Sequence, residues 1–232
     1  MEFSVLMSVY YKEKSKYLKE SIHSLLEQTI IPNEILIVKD GKLTDELEEV
    51  LNSFKLKNSN LFNFVELEQN QGLGVALNVG LKKCKYNLVA RMDSDDICEK
   101  DRFEKQINIF KKNANIDIVG TNVIEFTEDM KKIISSKSVP ESDIEIKKFL
   151  KKRNPINHMS VMYKKDKVVN VNSYEKCPYF EDYYLWCKLA RNGANFYNIQ
   201  ENLVKVRGGT NMYKRRGGKE YSKNIIEFEH PT

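Results

Sequence analysis

The sequence predicts an α/β fold with a mostly parallel central sheet and helices on both faces. Three observations carry this. From Phe3 to Arg91, apolar runs and amphipathic stretches alternate in the order β-α-β-α-β-α-β. The runs are apolar almost throughout, as expected of strands buried on both faces. The turns after them begin with Tyr10, Asp40, Asn70 and Asp93, so a parallel arrangement gathers these polar residues on one rim, where open α/β sheets bind ligands.

Phe3 to Val9 is the first strand. Leu18, Ile22, Leu25 and Leu26 follow at helical spacing, with Ser15 as the expected N-cap and Pro32 beyond the helix end. Glu34 to Val38 is the second strand and delivers Lys39-Asp40-Gly41 to a loop. Thr44 caps a helix through Leu56 that carries Leu47, Val50, Leu51 and Phe54. Leu61 to Leu67 is the third strand, Gln71 to Cys84 a helix, and Tyr86 to Arg91 the fourth strand. Asp101 to Lys112 is helical, and Asp117 to Phe126 with Lys132 to Lys137 reads as a hairpin. Ser142 caps Asp143 to Lys151. A loop from Asn154 to Met159 enters a strand, Ser160 to Tyr163. Glu181 to Arg191 is a helix stopped by Gly193. Ala194 to Ile199 and Leu203 to Val206 are expected as two late strands, before a glycine-rich basic tail from Arg207. With no repeat or linker, residues 1–232 read as one domain: a nucleotide half (1–98), an acceptor-side half (99–206) and a tail (207–232).

The chain has 232 residues and a net charge of +5, from 38 basic against 33 acidic residues. That is too mild for a nucleic-acid binder, and no basic stripe interleaves with aromatics. It suits anionic substrates and loose peripheral attraction to an acidic membrane surface. Cys84, Cys98, Cys177 and Cys187 form no CxxC pair and read as reduced thiols. No apolar run reaches the ~20 residues of a membrane span, and the start lacks a signal peptide, so a soluble cytoplasmic protein is expected.

The densest chemistry lies at Arg91-Met92-Asp93-Ser94-Asp95-Asp96. Three carboxylates within four positions repel one another and need water, a cation or basic neighbours. At a strand end they could ligate Mg2+ or Mn2+, with Arg91 balancing charge or contacting phosphate. Seen alone, three acids in a turn more often form a solvated turn that caps the next helix. Asn70-Gln71-Gly72-Leu73-Gly74 is neither a dinucleotide fingerprint, since Leu77 replaces its third glycine, nor a Walker loop. It reads as a helix start packed closely on the sheet or as a ligand contact.

In this order, these pieces resemble glycosyltransferase family 2, the inverting nucleotide-sugar transferases. The matching residues are Ser4 to Tyr10, Glu34 to Gly41, Asn70 to Gly74 with Ala76, Leu77, Asn78 and Gly80, and Arg91 to Asp96. Arg102, Phe103 and Gln106 follow, then Gly120, Asn154-Pro155 with His158, and Phe180 to Tyr183 with Trp186, Leu189 and Gly193. The likeness is to the branch that builds bacterial capsule, exopolysaccharide and O-antigen units. It implies a Rossmann-like GT-A fold with a small antiparallel acceptor-side subdomain, a UDP-sugar donor, a saccharide or lipid-linked oligosaccharide acceptor, and Mn2+ or Mg2+.

The resemblance also implies roles. Asp40 would read the uracil edge, with Tyr10, Asn70, Gly72, Asn78 and Arg91 on the donor side. Asp95 would ligate the metal, and Asp93 would hold ribose or the metal through solvent. Asp182 would be the catalytic base, with Glu181, His158 and Trp186 toward the acceptor. Two departures stand out. Lys39 replaces an acid common in relatives, and no late histidine supplies a further ligand, which leaves diphosphate contact to Arg207, Tyr213, Arg215 and Arg216. Local readings remain open beside these. Asp182 could cap its helix, Asp40-Gly41 is a common turn pair, His158 could be a loop histidine with a satisfied bond, and Trp186 fits core packing. A sugar nucleotidyltransferase would need a glycine-rich basic loop after the first strand, which Tyr10-Tyr11-Lys12-Glu13 is not. A non-catalytic binding module would not need Asp93, Asp95 and Asp182 intact.

Overall fold

The computed structural model describes residues 1–175, 177 and 179–208. The strands are β1 (Phe3–Val9), β2 (Glu34–Lys39), β3 (Phe62–Glu66), β4 (Leu88–Arg91), β5 (Ile97–Cys98), β6 (Ile118–Phe126), β7 (Ile133–Lys137), β8 (Met162–Lys164) and β9 (Phe196–Arg207). The helices are α1 (Ser15–Leu26), α2 (Asp45–Lys57), α3 (Leu73–Lys83), α4 (Arg102–Lys112), α5 (Asp143–Leu150), α6 (Lys165–Asn170) and α7 (Glu181–Arg191).

The nine strands among the described residues join one sheet in the order β3-β2-β1-β4-β8-β6-β9-β5, with β7 paired to β6 as a side arm. The first four are parallel. Beyond β4 the sheet turns mixed: β8 runs antiparallel to β4 and β6, while β9 runs parallel to β6.

Period-two alternation assigns the two faces. Phe3, Val5, Met7 and Val9 of β1 pack with Leu18, Leu47, Phe54, Phe103 and Ile107 from α1, α2 and α4. Leu6, Leu36 and Val38 look the other way, onto Ala76, Leu77, Ile146, Leu185 and Trp186 from α3, α5 and α7. Gly80 lets α3 lie this close, because a Cβ there would stand 2.5 Å from Leu6 Cδ1 and 2.6 Å from Val38 Cγ2. Each large apolar side chain buried in these layers contributes about 1.5–3 kcal/mol over exposure.

Several boundaries differ from expectation. Ser15 is the first residue of α1, and the Lys14 amide before it is met by the Glu13 carboxylate. The two late strands are one strand, β9, whose register slips near Asn122 of β6. The loop before β8 contains a 3-10 turn, His158–Ser160. The hairpin β6–β7 and the caps at Thr44 and Ser142 form as expected, and Glu145 completes a capping box at Ser142.

Candidate active site

The rim at the carboxyl ends of β1, β2 and β4 is built by cross-ties between loops. Asp40, buried at the end of β2, accepts from the amides of Gln71 (2.7 Å) and Gly72 (3.0 Å) and from Asn70 Nδ2 (3.0 Å). Gly41 then needs φ +85°, and a Cβ there would stand 2.6 Å from the Asn70 nitrogen. One carboxylate thus fixes the turn leading into α3 and brings Asn70 and Gly72 to the rim. Tyr10 stands edge-on to Tyr11, 5.9 Å between ring centres. Lys39 points out of the rim, pairing with Glu48 (2.7 Å) and Glu66 (2.9 Å). Asn78, partly exposed on α3, holds its Oδ1 buried without a partner.

After β4, one oxygen from each of Asp93, Asp95 and Asp96 lies within 4.8 Å of the others. Three outside residues shape this loop. Ser21 of α1 donates to the Asp93 carbonyl (2.9 Å). Ser94 donates to Glu13. The Arg207 amide donates to Asp96 Oδ1 (2.9 Å), and its Nε to the Asp95 carbonyl (3.0 Å). Burial, then Asp93 and Glu13, push the Asp95 carboxyl up to about 7. Burial followed by the charges of Asp95 and Asp93 also raises Asp96 well above the carboxylate range. Asp96 Oδ2 is buried without a partner. Crowded hard oxygens, one orphaned and two resisting ionisation, fit a divalent cation.

Arg91 stands behind the cluster. It is 2% exposed and ion-paired to Asp93, while its Nε and Nη1 have no partner. Its charge lowers the carboxyls of Asp95 and Asp96, and also those of Glu181 and Asp182 on α7. Asp93 and Asp182 both act on the buried Tyr174 phenol. Acids from β4 and α7 therefore lie within Coulombic reach of one buried guanidinium.

Asp182 is fixed on both oxygens: Asn154 Nδ2 donates to Oδ2 (2.7 Å), and the Tyr183 amide donates to Oδ1 (2.8 Å). Burial raises its carboxyl despite these donors, and likewise raises Glu181. Gly74 leaves room for Glu181 beside α3, since a Cβ there would meet Glu181 Cγ at 2.9 Å.

Three residues do not sit where the resemblance implies, and for Trp186 and His158 the local readings hold instead. Trp186 is fully buried in the core and offers no platform to a sugar. His158 is buried beside it and bonded to Tyr174 Oη (3.0 Å); burial, then the Arg91 charge, holds its ring neutral. Arg207 spends its guanidinium on the protein, with Nη1 to the Glu128 carbonyl (2.7 Å), Nη2 to Glu20 (2.6 Å) and its plane 4.0 Å from the Tyr17 ring centre. It ends β9 as a brace for the aspartate loop. Arg215, Tyr213 and Arg216 lie outside the described residues.

Sequence reasoning overlooked Glu13, Ser21 and Tyr174, which adjoin the acids from other elements. It quoted Asn154 and Arg102 without a role. Arg102 is fully buried and reaches the carbonyl of Arg91 (2.7 Å), while its partner Gln106 reaches those of Val119 (2.8 Å) and Ser160 (2.9 Å). This pair pins the end of β4 to β6.

A parallel sheet continued by a mixed one, with an acid cluster after β4 and two acids on α7 under the charge of one buried arginine, is the arrangement of a GT-A fold. Residues 4–171 match the family described as Glycosyl transferase family 2. The chain belongs to that family and is a glycosyltransferase. It is 41% identical over 228 residues to the amylovoran biosynthesis glycosyltransferase AmsE of Erwinia amylovora, covering 97% of this chain and 84% of that one. It is 40% identical over 231 residues to the Escherichia coli UDP-Gal:alpha-D-GlcNAc-diphosphoundecaprenol beta-1,3-galactosyltransferase, covering 99% and 82%. S. aureus TarS 1-349 in complex with UDP-GlcNAc has a similar fold, with a TM-score of 0.74 at 20% identity over 99% of this chain and 66% of that one. The mannosyltransferase PcManGT of Pyrobaculum calidifontis, solved with GDP-Man and Mn2+, has a TM-score of 0.69 at 14% identity, covering 97% and 61%.

Proposed function

We propose that this enzyme transfers a sugar from a UDP-sugar to a hydroxyl of a lipid-linked saccharide, with inversion, during assembly of a bacterial surface polysaccharide. The observation that carries the reading is the electrostatic meeting of Asp93, Asp95 and Asp96 with Asp182 around Arg91. The names of the Erwinia and E. coli relatives support the pathway and the lipid-diphosphate acceptor. The UDP-GlcNAc complex of a protein of the same fold supports the donor class.

Donor and acceptor sides receive different residues. Asp40, through the loop it ties, presents Asn70 and Gly72 beside Tyr10 to the nucleotide. Arg91 offers two unspent donors and a fixed charge toward the diphosphate. Asp95, with Asp93 and Asp96, would hold Mn2+ or Mg2+, which when bound supplies positive charge to the leaving diphosphate. Asp182, with Glu181 beside it, receives the proton of the acceptor hydroxyl as that oxygen attacks the anomeric carbon. Its raised carboxyl pKa makes it a better proton acceptor than an ordinary aspartate. With Asp182 acting as base while the acceptor oxygen attacks the anomeric carbon directly, the reaction is one displacement and the centre is inverted.

The test is UDP release from a panel of UDP-sugars with a lipid-linked acceptor, with Mn2+ and with a chelator. One donor should be turned over, and chelation should abolish turnover. If UDP binds but no donor is consumed, the fold serves as a binding module.

A further inference from the structure

Residues 131–153 hold eight basic side chains against three acidic ones, a local excess of five that equals the net charge of the whole chain. The same stretch carries Ile133, Ile134, Ile144 and Phe149, four of the twelve large apolar side chains exposed among the described residues. Basic charge and exposed apolar area coincide here in about a tenth of the sequence. A folded core does not require that coincidence, and solubility disfavours it.

The coincidence is sharpest on α5. Ile146 and Leu150 face the core, and Tyr183 Oη donates to the Leu150 carbonyl (2.6 Å), seating α5 on α7. The outward side presents Ile144, 81% exposed, with Lys148 and Phe149. Exposed Lys151, Lys152 and Arg153 continue it. Lys147 is engaged by Asp143 (2.8 Å), and Glu145 by the capping box. Lys148, Lys151, Lys152 and Arg153 have no ion-pair partner among the described residues. A groove of about 800 Å³ beside α5 is lined by Lys148, Phe149 and Lys152, with part-buried Pro140 at its wall.

The mixture selects the occupant. Four unpaired like charges oppose a second copy of the same face, and a small soluble anion makes no use of Ile144 and Phe149. An anionic bilayer uses both, with cations at the headgroups and apolar side chains at the acyl boundary. The surface also leads into the candidate site. Arg153 is followed by Asn154, which holds Asp182, and Tyr183 ties α5 to the residue beside that acid.

We propose that α5 and residues 151–153 form a docking surface for an anionic phospholipid bilayer, with Lys148, Lys151, Lys152 and Arg153 on the headgroups and Ile144 and Phe149 in the interface. This deepens the reading of a lipid-linked acceptor, whose sugar would then reach Asp182 from the membrane side. Its test uses neither donor nor acceptor, so it stands or falls apart from glycosyl transfer.

The full chain is sedimented with vesicles of phosphatidylcholine, alone or mixed with phosphatidylglycerol. Binding is expected only to the mixed vesicles and should weaken as salt rises. The triple variant Lys148→Gln, Lys152→Gln, Arg153→Gln should lose about fivefold in affinity per neutralised side chain, about a hundredfold together. Ile144→Ser, at unchanged charge and on a fully solvated position, should lose severalfold. Both variants should unfold at the parental temperature. Equal binding to neutral vesicles, no binding to either kind, or parental affinity in the triple variant would overturn the proposal. So would a concentration-dependent dimer that the triple variant abolishes, because the face would then belong to a second copy.

Discussion

At the scale of single residues, the two acid groups separate by what they can lose. Asp182 has both oxygens held by donors that an amide can partly satisfy. Asp182→Asn should therefore leave UDP affinity intact while transfer falls by about 10²–10⁴-fold, the usual contribution of a general base. Transfer at the parental rate, measured alongside calorimetric UDP binding, would take the base role from Asp182. Asp95 behaves differently because its carboxyl sits at about 7 in the folded chain against an ordinary 3.8. Between about pH 4 and 7 the folded state keeps a proton that the unfolded state has released. Metal-free stability from this group is therefore gained as pH falls through 7 and absent above it. A cation must displace that proton. Mn2+ binding should release more protons near pH 6 than near pH 8. Titrations in two buffers of different ionisation enthalpy read this directly; equal release at both values would remove Asp95 from the metal site.

At the scale of elements, the aspartate loop is only as rigid as what pins it, and the Arg102–Gln106 pair on α4 does this from within the core. Gln106→Leu would orphan the carbonyls of Val119 and Ser160 and deprive Arg102 Nε of its acceptor. Each unmet buried group costs about 1–3 kcal/mol, and each kcal/mol lowers the melting temperature by about 2–4 °C in a chain of this size. A fall of at least about 6 °C in a thermal scan is expected, with Mn2+-dependent UDP binding weakened as the loop loosens. An unchanged melting temperature would mean that water replaces the amide. The elements were largely legible in advance because period-two and helical spacing write burial into the sequence, as at Phe3 to Val9 and Leu18 to Leu25. Asn154 and Tyr174 were not legible as neighbours of Asp182, because their contacts depend on how the turns before and after β8 close in three dimensions. For Trp186 and His158 the local readings, core packing and a histidine with a satisfied bond, match the burial, whereas the acceptor roles came from the resemblance alone.

At the scale of the molecule, the parallel and mixed parts of the sheet are one body. The face of β1 to β3 is covered partly by Phe103, Ile107 and Phe110 of α4, and β5 pairs with β9. We expect residues 1–98 expressed alone to show no cooperative unfolding, whereas residues 1–232 melt in one transition by circular dichroism. A cooperative fragment would make the nucleotide half a domain in its own right.

The brace at Arg207 closes a circuit whose partners stand 111 residues apart in the chain. During synthesis at roughly 5–20 residues per second, Asp96 leaves the ribosome on the order of ten seconds before its partner exists. The crowded acids spend that interval without the amide that organises them. If the acids serve the donor as proposed, a chain stopped before β9 should be unable to consume donor sugar, because it lacks the amide that holds Asp96.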